Sequence, residues 1–499
     1  DLHGSEHSFP TRRSSDLILR LITIIGIALS LFQLYAAGIK PLGLFYQRPI
    51  HLGFILVLCF LIHPLDLKGP WRWPGWLLDA ALIVASVVVG LWVPLNIDTI
   101  ANATFPRQID VWIGIMTVIV VLEGARRSVG GVMTIIGAVF VAYAFAGSRG
   151  ELPWLADFMP GILNHRGYSI ERAASQLTLG AEGIFGIPLG VASTFIFVFV
   201  LFGAYLEATG AGKFFIDLAY AATGRQRGGP AKAAVVASAG MGSISGSAIA
   251  NVVTTGTFTI PLMKKAGYGG VKAGAIETMS SVNGQIMPPV MGAAAFLMVE
   301  YVGIPYFDVV KHAFLPAVIS YIALLYIVHL ESLKMGLQGL KKPGRSIGVV
   351  MILILFLTGF FAMAAITFAV IGIRAMLEPM MPGATVYPCL VLLVIAYLVL
   401  LYVSSKYPDV EVDDPNSDVV VAPRLTPTFW GGAYYALPIF VLVWNLMVRT
   451  EHLDRLSPAL SAYWATITMV IVALSHRPLK AMMRGEGALA EGVREGWKD

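Results

Sequence analysis

The chain has 499 residues, 57% of them apolar, a formal net charge of +5 and only 13% Asp, Glu, Lys and Arg, where an ordinary soluble domain has about 25%. Its mean hydropathy is +0.75, and the apolar residues gather in runs of about 18 to 26 that match the hydrocarbon thickness of a bilayer. This excludes a soluble enzyme and predicts an all-α polytopic protein of the lipid bilayer. The 35 basic residues lie mostly at the ends of those runs, where they orient spans and form no nucleic-acid surface. Cys59 and Cys389 sit in separate apolar runs and support neither a disulfide framework nor a cysteine metal site.

Residues 1–16 are polar and rich in His and Ser, and Ser8 to Leu17 reads like adapter-derived translation, so this stretch is expected to be a non-native leader. Apolar runs follow near 18–38, 50–66, 76–95, 110–123, 130–147, 187–209, 231–263, 272–300, 307–330, 347–371, 385–403, 429–448 and 458–475. Twelve read as single helices, the one near 110–123 being short, whereas 231–263 is too long for one span and too broken for two. Basic clusters at Lys68 and Arg72, Arg126 and Arg127, Arg225 and Arg227, Lys264 and Lys265, Lys341, Lys342 and Arg345, and Arg477, Lys480 and Arg484 can share one side. The positive-inside rule makes that side the cytoplasm. The segment 148–185 then lies outside, with Trp154 and a mixed polar pattern suited to an interfacial helix, while the acidic stretch 407–418 is a solvated linker inside. The polar stretch 485–499 stops with no closing element, which predicts a chain cut at that end.

Gly240 to Gly256 contains four glycines and six hydroxyl or amide residues, Ser243, Ser245, Ser247, Asn251, Thr254 and Thr255, within otherwise apolar sequence. Gly242 and Gly246 taken alone fit close helix packing equally well. The polar groups exceed what interhelical contact needs, and both flanks, Lys232 before and Lys264 and Lys265 after, carry the same cytoplasmic charge. A re-entrant hairpin with its tip buried in protein satisfies both observations. In the next run, Pro288 and Pro289 remove two backbone donors in succession, so the helix over 272–300 must be discontinuous there. A plain proline kink is the simple alternative. Asn283, Gly284 and Gln285 beside the prolines favour a site, because freed carbonyls can ligate a small cation and a half-helix end can face an anion.

The strings Gly242-Ser-Ile-Ser-Gly-Ser-Ala-Ile-Ala-Asn251 and Gly284-Gln-Ile-Met-Pro-Pro-Val-Met-Gly-Ala-Ala-Ala-Phe296, preceded by Glu182-Gly-Ile-Phe-Gly-Ile-Pro188 and Thr223-Gly-Arg-Gln-Arg-Gly-Gly-Pro230, resemble the fused permease of tripartite ATP-independent periplasmic (TRAP) transporters, in the branch served by TAXI-type binding proteins. The resemblance covers nearly everything after residue 17. It implies small-subunit-like scaffold helices over 17–147, a periplasmic or interfacial connector over 148–185, and the first half of a large transport subunit over 186–346, with hairpin 231–263 and broken helix 272–300. Residues 347–499 would add further scaffold helices and the start of a second half. The implied fold is elevator-type and ion-transporter-like, with about twelve transmembrane helices plus a re-entrant hairpin and inverted repeats, the second incomplete. The implied function is a bacterial inner-membrane permease, not an enzyme, that imports a small organic acid delivered by a periplasmic TAXI-type binding protein. Na⁺ or H⁺ would be the coupling ion, with no other cofactor.

By the same resemblance Ser245 and Ser247, with carbonyls around Gly284, Met287 and Pro289, are the expected Na⁺ site. Asn251, Thr255, Asn283 and Gln285 are the candidates to face an organic anion, since amides and hydroxyls bond a carboxylate without holding it too tightly. Gln285 and Val290 depart from the family's commoner Gly-x-x-x-Pro-Pro-Ser pattern, which leaves sodium against proton coupling open. Of the ionisable residues, Glu277 either pairs with Lys272 or carries a proton. Glu123 with Arg126 and Arg127 reads as an interfacial ion pair, Glu207 and Asp217 flank Lys213 as solvated pairs, and His312 and His329 read as packing residues. Two other function classes compete. An intramembrane serine protease at Gly242-x-x-Ser245-Gly246 lacks a neighbouring His, and an ion channel needs a pore ring repeated by symmetry. Gly210-Ala-Gly-Lys213 is followed by Phe and lacks the upstream glycine of a phosphate loop.

Overall fold

The computed structural model describes residues 16–65, 72–337, 386–408, 423–447 and 456–485, with a few more between 368 and 380. Among the described residues the elements are helices, and the chain separates into two compact units, Asp1–Thr194 and Phe195–Asp499. Seven of the described helices are long and apolar enough to cross a bilayer, and one bent pair adds an eighth. This is a multi-pass membrane protein, and many large apolar side chains on these helices face outward because lipid is their solvent. Most of the run near 347–371 and most of the acidic linker lie outside the described residues.

In the first unit, α1 (Asp16–Gly38), α2 (Leu44–Ile62), α3 (Arg72–Asn102), α4 (Gln108–Ser128), α5 (Gly131–Phe145), α6 (Ile170–Thr178) and α7 (Ile187–Val191) follow in order. Gly53 and Gly90 bring α2 and α3 together, since a Cβ on either would lie 2.9 Å from the other's Cα. Leu52, Leu56, Phe60, Leu82, Val89, Val93, Val120 and Phe185 fill the core around that contact. The helix expected to be short is not. α4 runs for 21 residues, because polar pairs extend both ends of its apolar run. Asp110 accepts from the Arg107 backbone N–H at 3.2 Å and from Arg107 Nε at 2.8 Å, and Glu123 pairs with Arg126 and Arg127, each at 2.7 Å. Arg127 also reaches Asp79 of α3 at 2.6 Å, so the interfacial pair is a network. Conversely, the run near 130–147 forms a helix of only 15 residues, less than the roughly 20 a span needs.

In the second unit, α8 (Phe197–Ala208), α9 (Ala211–Thr223), α10 (Gly229–Ser245), α11 (Ala248–Lys265), α12 (Gly270–Gly284), α13 (Ala293–Val302) and α14 (Tyr306–Lys334) precede the helices Val386–Ser405, Leu425–Gly431, Ala436–Met447 and Pro458–Arg484. The run near 429–448 is not one straight helix. It bends by 52° between Leu425–Gly431 and Ala433–Leu446. Two successive glycines weaken the helix there, the freed Gly431 carbonyl accepts from Ser404 Oγ at 2.5 Å, and Gly432 leaves room for the Phe214 ring, which a Cβ would approach to 2.2 Å.

Candidate functional site

The glycine- and serine-rich run folds as two helices, α10 and α11, with Gly246 and Ser247 between them. Gly246 makes the turn at φ 61°, with its N–H bonded to the Gly242 carbonyl at 3.1 Å. A Cβ there would sit 2.0 Å from the Met291 carbonyl oxygen, so both conformation and space demand glycine. Ser247 is extended and caps α11, its Oγ accepting from the Ala250 N–H at 3.3 Å.

The double proline separates α12 from α13, with a cis bond between Pro288 and Pro289 and Met291 at φ 57°. Backbone groups released by the break find partners. The Gly292 N–H donates to the Gln285 carbonyl at 2.6 Å and the Met287 N–H to the Gly284 carbonyl at 3.1 Å. The Tyr306 hydroxyl reaches the Pro289 and Val290 carbonyls at 2.8 and 2.5 Å, while its ring stacks on Phe296 with centroids 4.7 Å apart. These bonds give partners to backbone groups that a continuous helix would have paired.

Hairpin tip and break meet. The Val290 N–H donates to the Ser243 carbonyl at 3.1 Å, and a Cβ on Gly242 would lie 2.3 Å from the Gly284 Cα. The two glycines that the spacing left between packing and loop therefore part company: Gly242 is a packing contact and Gly246 is the turn. On the opposite side, Gly203 of α8 leaves room for Ser245, whose Cα a Cβ would approach to 3.3 Å.

Ser245 Oγ is buried beside this junction with no hydrogen-bond partner. Ser247 spends its hydroxyl on the cap, and the Gly284 and Pro289 carbonyls keep one lone pair each after the bonds above. Asn251 and Thr255 are buried in the contact between helices, 1% and 0% exposed. The Asn251 side-chain amide donates to the Ser238 carbonyl at 3.0 Å and leaves Oδ1 unpartnered, and Thr255 Oγ1 lies 2.7 Å from the Asn251 carbonyl. Asn283 is half-buried and Gln285 exposed. The nine candidates thus fall into a tip-and-break group, a buried group on α11, and two residues at the outer edge of the break.

The buried group on α11 surrounds Glu277 of α12, which is 0% exposed. Thr259 Oγ1 lies 2.5 Å from one carboxyl oxygen, and Ser281 Oγ, Ser238 Oγ and Thr255 Oγ1 reach the other, the first two at 3.1 and 3.2 Å. Pairing of Glu277 with Lys272 does not occur. Five residues at 100° each place the two side chains about 140° apart around α12, and Lys272 pairs instead with Glu331 of α14. Ser238, Thr259 and Ser281 were not singled out from the sequence. The available signal was the i,i+4 repeat of Thr255 with Thr259 and of Glu277 with Ser281, which puts each pair on one helix face. At the foot of the hairpin, the buried Tyr268 hydroxyl bonds Ser332 Oγ at 2.6 Å, and burial pushes that phenol above its ordinary range.

Residues 116–399, more than half of the chain, match the family model described as the tripartite ATP-independent periplasmic transporter, DctM component. The chain is 32% identical over 124 residues to the 2,3-diketo-L-gulonate TRAP transporter large permease protein of Escherichia coli, covering 24% of this chain and 27% of the relative. It is 30% identical over 138 residues to an uncharacterized protein of Sinorhizobium fredii, covering 28% and 32%, and 31% identical over 123 residues to another of Salmonella typhimurium, covering 24% and 26%. The aligned part thus spans about a third or less of the length of these curated relatives.

Proposed function

We propose that this chain, which belongs to the DctM-component family of tripartite ATP-independent periplasmic transporters, is the permease of a secondary transporter, not an enzyme, and imports a small organic acid through the bacterial inner membrane. A periplasmic binding protein of TAXI type delivers the acid, and a cation gradient drives it. The observation that carries this reading is the junction of hairpin tip and broken helix, with one buried, unpartnered hydroxyl at Ser245. Hard oxygens without a carboxylate suit a weakly held monovalent ion, which must leave in every cycle, so Ser245 and Ser247 with the carbonyls of Gly284, Met287 and Pro289 form the Na⁺ site of this proposal. Asn251, Thr255, Asn283 and Gln285 are assigned to the substrate side. The carboxylate class is supported by the sugar-acid name of the Escherichia coli relative and by the N-terminal end of α13 at the break, which favours anions. Elevator motion and a second, inverted half belong to the same proposal.

In proteoliposomes holding the complete permease, uptake should need both the binding protein and the gradient. Ser245→Ala should weaken the apparent Na⁺ constant at fixed substrate while leaving the stability in detergent within about 1 kcal/mol of the parent, because the hydroxyl it removes bonds nothing in the protein. Uptake with neither binding protein nor gradient contradicts the proposal. Unchanged ion dependence with lost expression would move the cation away from Ser245.

A further inference from the structure

α5 is too short for the bilayer that it enters. Its 15 residues rise about 22 Å at 1.5 Å each, roughly 8 Å less than the hydrocarbon layer. Its neighbour serves as a ruler. α4 has 21 residues, about 31 Å, and the short turn at Val129 and Gly130 makes α5 its antiparallel partner. Thr134 Oγ1 lies 3.4 Å from the Leu122 carbonyl, and a Cβ on Gly137 would lie 3.1 Å from Leu122 Cδ2. Counting on from that level, Phe145 ends opposite the turn 111–114 of α4, about 5–9 Å inside the outer end of α4 at Gln108.

The segment after α5 is fastened at that depth by both ends. The Leu152 N–H donates to the Phe145 carbonyl and the Tyr168 N–H to the Ala144 carbonyl, each at 3.0 Å, and the Tyr143 hydroxyl donates to the Leu163 carbonyl at 2.7 Å. α6 then packs on Gly114 of α4, where a Cβ would lie 2.7 Å from Thr178 Oγ1 and 3.1 Å from the Ala174 Cβ. Between these anchors two 3₁₀ turns, Pro153–Phe158 and Gly161–Leu163, direct apolar side chains outward. Phe158 is 79% exposed and Ile162 93%, and the exposed Trp154 ring meets Phe158 edge-on with centroids 6.3 Å apart. Arg149, Glu151, Asp157 and Arg166 are exposed as well, and their charges cancel. Aromatic and apolar groups mixed with balanced charge, held inside the end level of a spanning helix, match the headgroup boundary, where a segment is wet on one side and meets acyl chains on the other.

We propose that residues 146–168 form a lipid-inserted foot that completes the span α5 leaves short, with Trp154, Phe158 and Ile162 at the acyl edge of the outer leaflet. The surface that covers these side chains is lipid, not the periplasmic partner and not a second copy of this chain. The foot fixes the height of the first unit in the bilayer, and it does so whatever the permease carries.

The test is nitroxide labelling of the complete permease in phosphatidylcholine nanodiscs, without binding protein and in a background lacking Cys59 and Cys389. Labels at Phe158→Cys and Ile162→Cys should collide with oxygen more often than with a water-soluble nickel chelate, whereas a label at Glu151→Cys should show the reverse order. All three side chains are exposed, so the labels leave the packed core intact. Nickel collisions at Phe158→Cys and Ile162→Cys as frequent as at Glu151→Cys would place the loop in water and overturn the proposal. Protection from oxygen and nickel alike, the mark of a protein contact, overturns it too. So does nickel access that is lost only when the binding protein is added, which would give this surface to that partner.

Discussion

Gly242 and Gly284 touch through their α-carbons, and neither neighbour is a side-chain tip that could swing aside. A Cβ on Gly242 would lie 2.3 Å from the Gly284 Cα and 3.1 Å from its carbonyl carbon. Gly242→Ala should therefore destabilise the protein by about 1–3 kcal/mol, the range for overpacking that backbone must absorb. Gly274 is the control, because a Cβ there meets nothing within 4 Å and alanine in a helix gains roughly 0.5–1 kcal/mol over glycine. Melting in detergent should show a lowered midpoint for Gly242→Ala and an equal or raised one for Gly274→Ala. Equal midpoints for the two variants would mean that the hairpin and the break are not pressed together as described.

At the scale of elements, α12 and α13 have a gap where helical bonding stops, and one side chain from α14 bridges it. Tyr306 bonds the Pro289 and Val290 carbonyls and stacks on Phe296. Tyr306→Phe keeps the stacking and deletes only the hydroxyl, whose single hydrogen the two carbonyls share, a loss of about 1–3 kcal/mol. Hydrogen exchange should then quicken across 285–292 while α12 itself, closed by its own ladder, exchanges as before. Equal exchange in that segment would place the restraint elsewhere, the bond from the Val290 N–H to the Ser243 carbonyl being the next candidate.

For the whole molecule, the charge pattern sets how the second unit crosses the membrane. Arg227 before α10 and Lys265 at the end of α11 belong to one side if the hairpin re-enters, and the helix pair α12 and α13 then leaves toward the other, ending near the exposed Tyr301. In a background lacking Cys59 and Cys389, Arg227→Cys and Lys265→Cys should be labelled by a membrane-impermeant maleimide only in inverted vesicles, and Tyr301→Cys only in intact cells. Labelling of Arg227→Cys and Lys265→Cys from opposite sides would turn the hairpin into a pair of crossings.

Local chemistry was enough for part of this architecture. Hydropathy determined a polytopic helical protein, since a bilayer tolerates only helices or closed barrels and the runs have helical length. Consecutive prolines determined a break after Gly284, because no helix can supply the two missing donors. The serine- and glycine-rich run determined an interruption near Gly246 for a similar local reason. Partnership was a different matter. Whether Gly242 packs or turns depended on Gly284, some forty residues away in sequence. The 52° bend near Gly431 and the full 21-residue length of α4 depended on glycines and charged ends that an apolar-run count does not weigh. Glu277 shows the limit most plainly. Its own sequence neighbourhood offered Lys272, but helix geometry turned the two apart, and the hydroxyls it meets come from α10 and α11 as well as from its own next turn. A buried polar group takes its partners from whatever the fold brings within 3 Å or so, and only tertiary packing decides that.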